Sequence, residues 1–154
     1  MLEKQYATQP KKEQTMLANG FLQEEKTLKL AEVLPLYESV GWANYTKNPS
    51  MLELSLQNSL TVLCFRLEGK LLGLLRAVGD GYSVLYVQDL LVLPENQRMG
   101  IGKALLKELD RLYPKVYQKV LLTDDIPENA RFYEGCGFML TSIMGCTAYV
   151  KIAK

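Results

Sequence analysis

The chain has 154 residues, 48% hydrophobic and 23% charged, enough to bury one core of ordinary size in a soluble globular domain. Its 18 Lys and Arg against 17 Asp and Glu leave a formal net charge of +1, so no strong field favours nucleic acid or an anionic membrane. There is no histidine, which removes His-based triads and most zinc sites and leaves a carboxylate, Tyr, Cys, Lys or water to carry any acid or base step.

Residues 1–15, MLEKQYATQPKKEQT, are polar, contain Pro10 and show no apolar period; they predict a mobile extension ahead of a single domain over 16–154. FLQEEKT, from Phe21, predicts a first strand. LKLAEVLPLYESVGW then places Leu28, Ala31, Leu34, Tyr37 and Val40 at three-residue intervals, roughly one helical face. Thr27 suits its cap, Gly41 its end, and Pro35 would kink or divide it.

A second short helix is expected through Leu56, starting at Asn48 or Ser50. SLTVLCFRLEGKLLGLLRAVGDGYSVLYVQDLLVL reads as three strands, separated at Glu68-Gly69 and Asp80-Gly81 by dipeptides suited to hairpin turns. A loop and a helix lead from the third strand to KVLLT, from Lys119, a buried strand that completes a right-handed parallel crossover. PENARFYEGCGF predicts a short helix closed near Gly135 or Gly137, followed by a final hairpin from Phe138 to Ile152 with Gly145 near its turn. The order implies an α/β (α+β) protein with a mixed, mainly antiparallel sheet of six to seven strands and helices on both faces. No apolar run approaches the roughly 20 residues of a membrane span.

Cys64, Cys136 and Cys146 form no CxxC pair, and their odd number without a secretory leader predicts reduced thiols in a cytoplasm, packed as core residues.

The loop LPENQRMGIG, ahead of the helix, holds the clearest chemical signal. Ile101, Leu105, Leu109 and Leu112 recur at spacings of four, four and three, so the helix is amphipathic. Its first turn has N–H groups without intrahelical partners and a positive dipole end. Gly100 and Gly102 keep side chains away, so a phosphate could approach the backbone closely, with Arg98 and Lys103 adding positive charge. Two glycines before a helix also suit a simple tight turn. The P-loop pattern GxxxxGK[ST] is absent, and GxGxxG fails because position 105 is Leu.

QRMGIGKALL, Gln97 to Leu106, resembles the Q/R-x-x-G-x-G/A acetyl-CoA signature of the GNAT acetyltransferase superfamily, preceded by LLVLPE and followed downstream by FYEGCGF. The resemblance covers about Phe21 to Lys151 and implies the GNAT fold. It also implies acetyl-CoA as cosubstrate, with the backbone amides of Arg98, Met99, Gly100, Ile101, Gly102 and Lys103 around the pyrophosphate. Leu91, Val92 and Leu93 would pair with the pantetheine arm, on a strand that in the family carries a bulge and splays from the next one.

An amine acetyltransferase must deprotonate an ammonium, stabilise an oxyanion and protonate a leaving thiolate; it needs no metal and no covalent intermediate. By the resemblance, Tyr133 in RFYEGCGF matches a tyrosine near the cofactor sulfur. A phenol of pKa about 10 suits the proton donor, although it could instead only pack against the arm. Where the family often has a strand glutamate, this chain has Tyr86 and Gln88. Asp89 would orient or deprotonate the amine directly or through water, or else hold a hydrogen-bonded structural position; a water chain competes with it as base. Asn129 resembles an asparagine that contacts pantetheine, and its spacing also suits a helix N-cap.

LYESVGWANYTKNP gathers Tyr37, Trp42 and Tyr45 where the family builds its acceptor wall, favouring an apolar or aromatic amine, or a cation over a ring. Trp42 would equally anchor the helices on the sheet. Val40, Arg76 and Asp80 are weaker rim candidates. The stretch is similar to a bacterial subgroup that does not specify an acceptor. The resulting expectation is an N-acetyltransferase moving the acetyl group of acetyl-CoA to a primary amine, a small molecule ahead of a protein N-terminus or lysine. No nucleic-acid or membrane partner is expected, and homodimer formation is open. A non-catalytic acyl-CoA sensor and a structural domain with a degenerate loop are the alternatives.

Overall fold

The structure is a computed structural model that describes residues 17–153; the expected extension over 1–15 lies outside the described residues. The chain forms two compact units, the first ending at Leu122 and the second running from Thr123.

The first unit is a five-stranded mixed sheet in the order β1-β2-β3-β4-β5. The strands are β1 (Phe21–Glu24), β2 (Thr61–Leu67), β3 (Lys70–Gly79), β4 (Val84–Val92) and β5 (Gln118–Leu121). The first four pair antiparallel, and β5 pairs parallel with β4. Both expected hairpin turns occur, at Glu68-Gly69 and between β3 and β4. In the second, the Asp80 carboxylate accepts the backbone N–H groups of Tyr82 and Ser83, each at 2.8 Å, and of Val84 at 3.1 Å. Asp80 is therefore a turn residue, with its oxygens committed to its own loop.

Helix α1 (Leu30–Ser39) starts after Lys29 with no side-chain cap, so Thr27 is not its cap, and it runs through Pro35 undivided. Its buried face is Val33, Leu36 and Tyr37, whereas Ala31 is exposed. After a short turn of helix, α2 (Ala43–Thr46), comes α3 (Pro49–Gln57), where Asn48 caps as expected by accepting the Met51 N–H at 3.2 Å and Leu52 and Leu56 are buried.

Helix α4 (Ile101–Leu112) buries Ile101, Leu105, Leu106 and Leu109, each at most 3% exposed; burying such a side chain stabilises by about 1.5–3 kcal/mol. It packs on β3 at Gly73, where an added Cβ would stand 2.8 Å from Ile101 Cγ2, so this close approach requires glycine. Cross-strand partners share a sheet face, and Gly73↔Val92 and Arg76↔Asp89 fall on opposite faces by alternation. α4 covers the Gly73 face and α1, through Tyr37 on Asp89, covers the other. The helices thus lie on both faces, as expected.

β5 is half-buried, where a buried strand was expected, because it is the sheet edge. Lys119, in β5, pairs with Asp110, in α4, at 3.0 Å.

The second unit contains α5 (Pro127–Gly135) and a 3-10 turn over Thr141–Met144 closed by Gly145 at φ 72°. The expected final hairpin over 138–152 is absent among the described residues, which corrects the strand count from six or seven to five. Gly145 ends a helical turn instead of joining two strands. Ile143, Met144, Tyr149, Val150 and Ile152 are exposed, and an isolated two-stranded hairpin is marginal in water.

Candidate active site

Two features of the first unit flank the end of β4. The first is a closed polar cluster. Arg76 and Asp89 are direct cross-strand partners, and Arg76 Nε donates to Asp89 Oδ2. Tyr37, fully buried in α1, donates its hydroxyl to the same oxygen at 2.8 Å, while Tyr45, in α2, donates to Oδ1 at 3.2 Å. The Tyr45 oxygen accepts from Arg76 and from Gln88, both at 3.2 Å, and the Arg76 guanidinium lies 5.7 Å from the Tyr45 ring centroid. Burial, reinforced by the Asp89 charge, pushes both tyrosine hydroxyls above their ordinary range, so neither is a base near neutral pH. The Asp89 side chain has no exposed surface and accepts three hydrogen bonds. Its three partners give it the hydrogen-bonded position that is one of the roles open to it.

This cluster sits at a β-bulge. Arg76 pairs with Asp89, but Ala77 pairs with Val87, which leaves Gln88 as the extra residue in β4. Pairing with β5 ends at Val87↔Leu121, so β4 past the bulge has β3 on one side and no β5 register on the other. Leu93 donates its N–H to Leu72 and accepts from Asn96, which engages both of its backbone groups. Backbone directions alternate along an antiparallel strand, so Leu91 and Leu93 turn toward β3 and Val92 turns to the open side. Of the three residues expected to meet a pantetheine arm, Val92 is the one facing outward. Its carbonyl accepts from Gln97 Nε2 at 3.1 Å.

The second feature is the loop itself. Arg98 and Gly100 have φ of 59° and 82°, and Gly100 is the N-cap of α4 without a side-chain hydrogen bond. The first turn-closing bond is Ala104 N–H to Gly100 at 2.9 Å, which leaves the N–H groups of Ile101, Gly102 and Lys103 outside the intrahelical ladder. Gly100, as N-cap, offers them no side-chain acceptor. Arg98 and Lys103 are exposed, Met99 and Gly102 half-buried. Together these residues offer an anion a turn of backbone donors at the positive end of a 12-residue helix.

In the second unit, α5 begins at Pro127 after Ile126, so Asn129 lies inside the first turn and is not its N-cap; proline suits that opening position. Asn129 Nδ2 instead reaches Thr123 Oγ1 at 2.8 Å and the Asp124 carbonyl at 3.3 Å. The Tyr133 ring packs edge-on against Phe132 and Phe138. Burial raises the Tyr133 hydroxyl above its ordinary pKa despite the opposing influence of Thr123, so the phenol keeps its proton at neutral pH.

The family profile for the acetyltransferase (GNAT) domain matches residues 58–140. The chain belongs to the GNAT acetyltransferase family. It is an acyltransferase, similar to a GNAT-family acetyltransferase from Streptococcus pneumoniae at 38% identity and a TM-score of 0.79, over 88% of this chain and 98% of that one. An uncharacterized N-acetyltransferase of Pyropia yezoensis is 26% identical over 124 residues, 77% of this chain and 70% of its own. A chloroplastic GCN5-related N-acetyltransferase of Arabidopsis thaliana is 36% identical over 72 residues, which are 46% of this chain and 30% of that one. GNAT enzymes generally use acetyl-CoA, and the loop before α4 fits its pyrophosphate in charge and in backbone access. No helix among the described residues is long and apolar enough to cross a membrane.

Of the cysteines, Cys64 alone is buried as expected, its thiol pushed up to about 12 by burial; Cys146 is exposed. Trp42 and Tyr45 are half-buried and packed together at 6.1 Å, whereas Tyr37 is closed off from solvent. The Arg76–Asp89 pair escaped the sequence reading, although a signal was present. Each is a lone charge amid apolar strand residues, and opposite charges across a hairpin stabilise when directly paired.

Proposed function

We propose that the protein moves the acetyl group of acetyl-CoA to the primary amine of a small molecule. The observation that carries this reading is the N-terminus of α4, capped by a glycine and entered through left-handed Arg98 and Gly100 directly after the part of β4 that does not pair with β5. Bound acetyl-CoA supplies an activated acetyl thioester. The N–H groups of Ile101, Gly102 and Lys103 hold its pyrophosphate, and Val92 offers a backbone carbonyl to its arm. Trp42 and Tyr45 present the aromatic surface for the acceptor, and Tyr37 supports that surface from behind. The family match spans both units, which supports their reading as one domain over 16–154.

Tyr133 is the proton donor to the departing thiol in this reading; its raised pKa supports that role by keeping the phenol protonated. Asp89 is a positioning residue that holds Tyr37, Tyr45 and Arg76, and water takes the proton of the ammonium. The odd cysteine count suits reduced thiols, and a cytoplasm is our reading of the compartment.

Thiol release from acetyl-CoA across a panel of aromatic and aliphatic amines tests the proposal. Tyr133→Phe should lower kcat by about 10²- to 10⁴-fold with CoA affinity unchanged. Amine-independent thiol release, or a Tyr133→Phe variant with wild-type kcat, would remove the assigned chemistry.

A further inference from the structure

We infer that the Gln97 side chain is a placeholder for the pantetheine arm, occupying in the free protein the Val92 carbonyl that an amide N–H of the arm takes on binding. The inference rests on the acetyl-CoA reading above and adds to it a residue that tunes cofactor affinity.

Three observations meet at this point. Val92 directs its backbone away from β3, because Leu93 directs its own toward Leu72. β5 stops pairing with β4 at Val87, so among the described residues no strand pairs on that side at Val92. The donor on the Val92 carbonyl is an exposed side-chain amide, Gln97 Nε2 at 3.1 Å, from within the loop that leads into α4. A primary amide of glutamine and a secondary amide of pantetheine are the same kind of donor, and although a carbonyl oxygen has two lone pairs, we place the arm on the one that Gln97 holds. Cofactor binding therefore exchanges one amide donor for another, where a strand edge without Gln97 would gain a new bond in place of water.

Calorimetric titration of wild type, Gln97→Ala and Gln97→Met with coenzyme A and with adenosine 3′,5′-bisphosphate, which lacks the arm, tests this. Both variants lack the donor, and Met keeps the side-chain length. The expected result is CoA affinity raised roughly two- to tenfold in both variants, the range of one neutral hydrogen bond, with the nucleotide affinity unchanged. Unchanged or weakened CoA binding, or an equal shift for both probes, would show that Gln97 merely braces the loop and overturn the inference. If wild type binds neither probe, the acetyl-CoA reading itself falls and takes the inference with it.

Discussion

The middle of β4 and the loop beyond its end handle polar groups in opposite ways. At Asp89 the partners all come from within the chain: Tyr37, Tyr45 and Arg76 donate to one enclosed carboxylate. Between Gln97 and Lys103 the backbone turns left-handed twice and opens a helix whose N-cap, Gly100, has no side chain to cap its first amides. A buried charge without partners costs several kcal/mol, so the first region is organised by folding. Amides at a solvent-facing helix end remain hydrated at little cost, so the second can wait for an anion. In our proposal this difference separates an acid that positions its neighbours from a loop that holds the cofactor.

The sharpest way to break that contrast is Asp89→Asn. As the centre of a buried pair, its loss should lower the unfolding free energy in urea by about 3–5 kcal/mol, since Arg76 is left uncompensated. Replacing both members, Arg76→Met with Asp89→Leu, should recover much of that stability. An Asp89→Asn protein with wild-type stability but no turnover would instead make Asp89 the base. A smaller effect is expected from Tyr37→Phe, which deletes one buried donor to a charged acceptor and should cost about 1.5–3 kcal/mol in the same assay. Tyr45→Phe, at a longer distance and half-buried, should cost less.

The smallest effect concerns the outer ion pair of Arg66 with Glu32, a partly exposed contact worth below about 1 kcal/mol. The Arg66 hydrogen bond holds the Glu32 carboxyl below its ordinary value of 4.5. Its folded pKa is thus depressed, so the stabilisation is present above about 4.5 and is lost as pH falls through the folded value. The stability gap between wild type and Glu32→Gln should close on acidification; a gap that widens would refute the assignment.

The meander of β2, β3 and β4 was legible because two turn dipeptides fix its corners, and α4 because its apolar spacing follows 3.6 residues per turn. The face of α1 was misread for the same reason. Leu28, Ala31, Leu34, Tyr37 and Val40 are spaced strictly by three, and each step of three falls about 60° short of a full turn, so the set winds around the helix. The true face, Val33, Leu36 and Tyr37, follows three-and-four spacing. The last segment misled because Gly145 suits a helical terminator and a hairpin turn equally. Within the candidate site, the helix start after Gly100 was legible because glycine and helix position alone set it. The partners of Asp89 and of Val92 depend on strand register and on a bulge at Gln88, which a residue pattern does not encode.

Thermal unfolding with and without acetyl-CoA, in wild type and in Gly100→Glu, tests the central claim most directly. At φ 82° a glutamate strains the loop and places a carboxylate beside the amides. A ligand-dependent rise in the melting temperature of wild type that is absent from the variant is the predicted result, by mass action on the folded state. An equal rise in both proteins, or none in wild type, would contradict the assignment of this loop to the cofactor.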